Sequence, residues 1–428
     1  SPQVSLYTFL FLLFYFLFEF ISSMKVSFKS ALSKLPPAAG VIIIAIAITA
    51  IQLLPTTELA PLSNRAEISY EKSLEGSLNP EQLITIFAPK FFGEQNPLAN
   101  TYWGQGGYGQ YWETSIYLGI AVLILTIIAL STLYRNRFVV FFCIILLFSI
   151  LYALGDSFFL HKIFFFYIPG FSLFRNPARM SLLFTFAASI LSGFGLNELI
   201  KMQSANISKV NKVIIISLVI GAVIWLLVQL GLFQNASNPE YLAQIREMAT
   251  RETSIFIFVL VCIGVLLLAF SKAKISPVLL PMLFILIQLI DINIFGSTQN
   301  NGKTSPTEYY KNTEQLVNYL KEDGKEEYFR INSRQGSNMI LDRNQGMVDN
   351  IYMMEGYTPL ALKRIYPPAS SWDKICDLLN AKYRISIDPA NGNRSMTKSS
   401  TYLPRAYFVD NYKILSNEEK INQFMMNQ

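Results

Sequence analysis

The sequence predicts a mainly α, polytopic membrane protein that ends in a compact α+β domain, and three observations carry that prediction. Hydrophobic residues make up 52% of the chain and charged residues only 15%, a balance far from that of soluble domains. About eight apolar stretches each approach the roughly 20 residues that cross hydrocarbon as a helix. From residue 297 onward the composition turns polar, and the pattern breaks into short segments with helix or strand spacing.

The apolar stretches fall at 4–21, 38–55, 115–131, 138–155, 180–200, 213–233, 254–270 and 276–295. Charge between them sets an orientation, because Lys and Arg resist translocation. Lys25, Lys29 and Lys34 follow the first stretch, Arg135 and Arg137 the third, Lys201, Lys209 and Lys212 the fifth, and Lys272 and Lys274 the seventh. By alternation these loops share one side, which is then the cytoplasm. The outer loop 56–114 faces away from it. There Glu58, Glu67, Glu71, Glu75, Glu81, Glu94 and Glu113 outnumber Arg65, Lys72 and Lys90. No methionine or signal peptide stands before the first stretch, which must run inward, so the expectation is the later part of a longer protein.

The organisation read from this pattern is a transmembrane helical domain over 1–296 and an extracytoplasmic α+β domain over 297–428. In the latter, spacing predicts helices at 313–322, 372–379 and 417–426, strands at 328–332, 383–387 and 402–409, and a loop at 388–400. A segment at 157–176 containing HKIFFFYIPGF is too short to span and ends in Pro-Gly, which predicts an interfacial or re-entrant stretch. The net charge of +6 is met by cytoplasmic loops facing anionic headgroups and needs no nucleic acid. Cys143, Cys262 and Cys376 suggest neither a disulfide framework nor a CxxC site, and a single histidine excludes a multi-His metal centre.

Three constellations face outward in this reading. In FRNPARM, Asn176 suits an N-cap and Pro177 the first helical position, which sets Arg175 and Arg179 at a helix start. A cation there opposes the helix dipole unless an anion joins it. Free N–H groups and guanidinium forks make a phosphate site, while the competing reading has both arginines snorkel or pair with loop glutamates. His161 at that surface could donate to a phosphate or move a proton, or be a plain interfacial contact. In NTYWGQGGYGQYWE, Tyr102, Trp103, Tyr108, Trp112 and Glu113 form a glycine-laced aromatic set suited to sugar faces, or to the interfacial belt. Glu58 and Arg65 stand at the membrane edge as a base and its neighbour or as an ion pair. Asp291, with Gln288 one turn before it, reads as a polar contact between helices.

The ordered succession QLLPTTELAPLSNRAEISYE, PEQLITIFAPKFFGE with YWG after it, FRNPARMSLLFTFAASILSGFGLNEL, GYTPLALKRI and LPRAYFV resembles the bacterial YfhO-type membrane proteins. That family is in turn similar to the GT-C superfamily of polytopic glycosyltransferases. The resemblance implies a multi-pass protein of the bacterial cytoplasmic membrane that uses a polyprenyl-phosphate-linked sugar as donor and an extracytoplasmic acceptor, with membrane lipid as its surroundings. It implies lipid-phosphate binding for Arg175, Arg179 and His161, and sugar or acceptor binding for Tyr102, Trp103, Tyr108, Trp112, Glu113, Glu58 and Arg65. GT-C enzymes usually place their catalytic carboxylate in the first outer loop, which would precede residue 1, so no catalytic residue is assigned; no cofactor is required, and a divalent cation could accompany that carboxylate. The alternative is a non-catalytic membrane subunit that docks onto a secretion or envelope-assembly complex.

Overall fold

The computed structural model describes residues 2–427 apart from 64–67, 94, 97–98, 101, 105–110, 203–207, 232–238, 298–304, 306–307, 309 and 358–359. The chain divides into two compact units, Ser1–Ile48 with Glu67–Asn301, and Thr49–Ala66 with Gly302–Gln428.

The first unit is helical. Its main elements are α1 (Pro2–Met24), α2 (Leu35–Leu59, whose last part belongs to the second unit), α3 (Ile120–Thr132), α4 (Arg137–Ala153), α5 (Phe159–Tyr167), α6 (Ser181–Met202), α7 (Ser208–Gln229), α8 (Pro239–Ser271) and α9 (Leu279–Gly296). Among the described residues, six segments are long and apolar enough to cross a membrane: Pro2–Met24, Phe28–Leu62, Pro177–Met202, Val210–Gln229, Leu242–Ser271 and Leu279–Gly296. This is a multi-pass membrane protein.

The two remaining stretches, 115–131 and 138–155, are helical over less than the predicted length. α3 has 13 residues and α4 has 17, or about 20 and 26 Å at 1.5 Å per residue. α3 starts late because Gly119 holds a left-handed φ of 88°, and the Gln288 side chain fills the space a Cβ would need there. Helix can begin only at the next residue. The N–H of Ile120 then donates to Asp291 Oδ2 at 2.8 Å, and the Tyr117 hydroxyl donates to the other oxygen. Asp291 thus caps α3 from α9, the polar helix-to-helix contact that the sequence suggested.

α6 packs against both α3 and α4. Ala187, Ala188 and Gly195 are buried along it, and Thr126 Oγ1 donates to the Ala188 carbonyl at 3.0 Å. A Cβ on Gly195 would run into the Leu125 carbonyl oxygen. Small residues let membrane helices approach until backbones touch, and this contact holds α6 against α3. α1 joins the same core through Tyr7 and Leu10, which cluster with Val139, Ile145, Met180 and Leu191.

The second unit holds α10 (Glu314–Asp323), β1 (Arg330–Asn332), α11 (Trp372–Leu378), β2 (Ala381–Ile387), β3 (Arg394–Lys398) and α12 (Glu418–Met426). The sheet order is β1-β2-β3, with β1 parallel and β3 antiparallel to β2. α10 lays Val317 and Leu320 against Phe329, Ile331 and Tyr383. The end of the α2 segment is tied into this unit, where the Lys363 N–H donates to the Leu62 carbonyl at 2.9 Å.

Two expectations for the tail are corrected. The third strand comes from 394–398, inside the stretch expected to be loop. β3 is an edge strand exposed along most of its length, so no apolar alternation marks it in the sequence. The stretch 402–409 alternates but is no strand. Its backbone is held by loops instead, with the Leu403 N–H donating to the Asp377 carbonyl at 3.1 Å and Asn380 Nδ2 donating to the Leu403 carbonyl at 2.8 Å.

The close approach at Gly195 yields a test. Gly195→Val should destabilise the protein by about 1–3 kcal/mol or more, as overpacking does. Gly193→Val, where a Cβ meets nothing within 4 Å, should change the thermal unfolding midpoint far less.

Candidate functional site at the start of α6

The FRNPARM stretch forms a turn that enters α6. Pro177 opens a 3-10 turn, Pro177–Met180, directly ahead of the helix. Asn176 before it adopts a left-handed backbone, φ 63° and ψ 69°, and its side chain makes no cap bond. This corrects the expected N-cap. A capping residue needs an extended backbone to aim its side chain at the free N–H groups; here Asn176 Nδ2 instead donates to Glu113 Oε1 at 3.1 Å. Asparagine tolerates this backbone better than most residues.

The turn is docked by backbone bonds. The Asn176 N–H donates to the Glu75 carbonyl at 2.8 Å and the Ala178 N–H to the Gly76 carbonyl at 3.2 Å. Arg179 then forks onto Glu113, with Nε donating to Oε2 at 2.8 Å and Nη2 donating to Oε1. Its Nη1 donates to Gln3 Oε1 at 3.1 Å. Gln3, at the start of α1, completes the knot by donating to the Arg175 carbonyl at 2.6 Å and to the Tyr7 hydroxyl at 2.8 Å. Three segments far apart in sequence therefore meet at one guanidinium.

The two arginines stand differently. Glu113 is only 13% exposed and bonds Arg179 in the two-pronged geometry that makes guanidinium–carboxylate pairs strong. Among the described residues the Arg175 guanidinium makes one ion pair, Nη1 to Glu75 Oε2 at 2.6 Å, between side chains 40% and 42% exposed. Exposed pairs of that kind contribute about 0–1 kcal/mol, so another anion can replace Glu75 at little cost.

His161 does not share this site. It is buried on α5, with Nε2 3.1 Å from Ser73 Oγ, and its Nδ1 is buried with no hydrogen-bond partner among the described residues. The ring meets Tyr152 edge-on at 5.1 Å, while Tyr70 beside it donates to Asp156 at 3.0 Å. Burial pushes the imidazole down to about 4 against the pull of Asp156. Burial, then Asp156, pushes the Tyr70 phenol up to about 12. The expected surface ligand is thus a neutral core residue, because a helix as apolar as FLHKIFFFY turns its short polar member inward once a hydroxyl is there to meet it.

The aromatic set is likewise partly spent on the fold. Tyr102 is buried and its hydroxyl accepts from Gln82 Nε2 at 3.0 Å. Trp103 lies against Phe91 and Phe92 at 5.6 and 4.6 Å between ring centres. Neither offers the open face that sugar stacking needs. Tyr108, Arg65 and the side chain of Trp112 lie outside the described residues. Glu58 is an exposed residue of the second unit. Among the described residues predicted to bind sugar, Glu113 is the one seen to bond Arg179. Gln3 and Glu75 were not singled out by sequence; the acidic excess of 56–114 was the signal that pointed toward Glu75. Among the described residues no group of three or more His, Cys, Asp or Glu side chains could hold a metal, so a divalent cation finds no such donor set there.

Compared with known proteins, residues 4–361 match the family model described as bacterial membrane protein YfhO. The chain belongs to the YfhO family. The match takes in the Arg175–Arg179 turn together with Glu75 and Glu113, and it ends ahead of LPRAYFV. No curated protein and no solved structure matches.

In this YfhO-family chain the buried His161 makes stability depend on pH. Its folded pKa, about 4, lies below the ordinary 6.5, so as pH falls the unfolded chain takes up the proton first. The stability at stake is complete above about 6.5 and is lost as pH drops from there toward 4. His161→Gln should flatten the fall in unfolding midpoint across that window, removing a difference on the order of 3 kcal/mol at its acid end.

Proposed function

We propose that this chain is a membrane glycosyltransferase, moving a sugar from a polyprenyl-phosphate donor to an acceptor on the extracytoplasmic side, with Arg175 holding the donor phosphate. The observation that carries this reading is the unequal footing of the two arginines. Arg179 is clamped by Glu113 and Gln3 and fixes the turn. Arg175 has its backbone held by Gln3 and Glu75 next to it, yet its guanidinium keeps one replaceable partner.

A phosphate brings more charge than a carboxylate and more acceptor oxygens, and it matches the guanidinium fork. In the transfer, an acceptor hydroxyl attacks the anomeric carbon, the bond from that carbon to the phosphate oxygen breaks, and negative charge grows on the leaving lipid phosphate. A guanidinium already in place stabilises that charge without having to reorganise. The positive-inside pattern orients this end of the helices outward, where a lipid-linked donor would present its head.

A second reading is favoured by one observation: Arg175 with Glu75 and Arg179 with Glu113 cancel in charge, which leaves no net attraction for an anion. It makes the chain a non-catalytic subunit of an envelope-assembly complex. Sugar transfer from the polyprenyl-phosphate donor, assayed in membranes carrying Arg175→Ala, separates the two. Loss of about 10²–10³ in rate, the range for removing one charge-stabilising donor, with an unchanged unfolding midpoint, is the expected outcome. Undiminished transfer by a correctly folded Arg175→Ala variant would leave the glycosyltransferase assignment of this arginine without support.

A further inference from the structure

Where the tail is tied to the α2 segment it presents an apolar face. The tie is made by backbone, with the Lys363 N–H donating to the Leu62 carbonyl at 2.9 Å and Ser63 bridged antiparallel to Leu362 beside it. Leu62 is the last residue of Phe28–Leu62, a segment long and apolar enough to cross a membrane. This edge of the second unit is therefore held where that segment leaves the bilayer.

Two further contacts build outward from the tie. Arg364 forks onto Glu418 at the start of α12, with Nε donating to Oε1 at 3.0 Å and Nη2 to Oε2 at 2.6 Å. Lys413 lies over the Phe424 ring of α12, its Nζ 4.9 Å from the ring centre. One open groove has Lys363, Arg364, Glu418 and Ile421 on its walls, so the tie and the helix border the same hollow. The stretch 412–414 and α12 thus lie together beside the end of a membrane segment.

Single apolar side chains are common on protein surfaces, but a gathering of them marks a contact site. Tyr412 and Ile414 are each 84% exposed, and Ile421, Phe424 and Met426 are exposed on a helix that buries no residue. Ile421 and Phe424 stand three apart and share a helix face. Lys363, Arg364, Lys413 and Lys420 outnumber Glu418 and Glu419 around them, and Glu418 is already taken by Arg364. Aromatic rings with long-stemmed cations beside them are the composition of the membrane interface, and the cationic excess suits anionic headgroups. We propose that this face, 412–414 together with α12, rests on the lipid surface at which Phe28–Leu62 ends, its apolar side chains between the headgroups and its lysines on anionic phosphates. The inference stands on the second unit and does not depend on the glycosyltransferase reading.

The test places the full chain in nanodiscs of phosphatidylcholine and phosphatidylglycerol, a fraction of the lipid carrying a diazirine at the top of an acyl chain, and maps photo-adducts by peptide mass spectrometry. Adducts on peptides from 412–426, at least tenfold more abundant than on the exposed 388–400 stretch, are the expected result. Ile414→Asp combined with Phe424→Asp should cut that yield at least tenfold; both side chains are exposed, and an unchanged unfolding midpoint verifies the fold. Lys413→Glu combined with Lys420→Glu should lower it about threefold or more, as should leaving out phosphatidylglycerol. Adducts at 412–426 no more abundant than at 388–400, a yield unchanged by the paired Asp substitutions, or crosslinks between two copies through 412–426 in place of lipid adducts would overturn the proposal.

Discussion

The first unit depends on one contact, the fork of Arg179 onto Glu113 with Gln3 as the third member. A guanidinium at the entry to a helix meets the positive end of the dipole, and a carboxylate as buried as Glu113 loses its water partners and needs donors in their place. Each removes the other's difficulty. The same contact joins α1, the 67–119 segment and α6, none of which are neighbours in sequence. Once they are joined, the left-handed Asn176 and the docking of the turn on Glu75 and Gly76 follow, and Arg175 is carried to a half-exposed position beside a replaceable acid.

Much of this architecture was legible in the residues. Apolar length gave the helices, the shift to polar composition gave the tail, and Pro177 marked the start of α6. The excess of glutamate over 56–114 made acids available to the two arginines, which was the competing reading of FRNPARM. What could not be read were choices that only a tertiary partner decides. Asn176 could cap or turn; Glu113 drew its amide away. His161 could face a headgroup or the core, and Ser73, 88 positions away, settled it. Tyr102 and Trp103 look alike whether they await a ligand or pack on Phe91 and Phe92. The edge strand 394–398 escaped notice because an exposed strand has no apolar face to advertise.

The same division between committed and uncommitted cations runs through both units. Arg179, Arg384 and Lys382 are closed by acids and hold segments together. Arg175 is held by one exposed acid, and Arg405 rests on two tyrosine rings with no acid partner among the described residues. Membership of the YfhO family covers the first of these two positions and stops short of the second. Two-pronged pairs onto a buried acid build the fold, and a guanidinium held by a single exposed acid is where an anion from outside can enter it.

The most direct test of this account is a double-mutant cycle on Arg179→Met and Glu113→Gln, read from the unfolding free energy in detergent. A direct contact of this kind predicts a coupling energy of about 1–3 kcal/mol between the two positions. Effects that simply add, to within about 0.5 kcal/mol, would show that the pair does not hold the three segments together and would contradict the account.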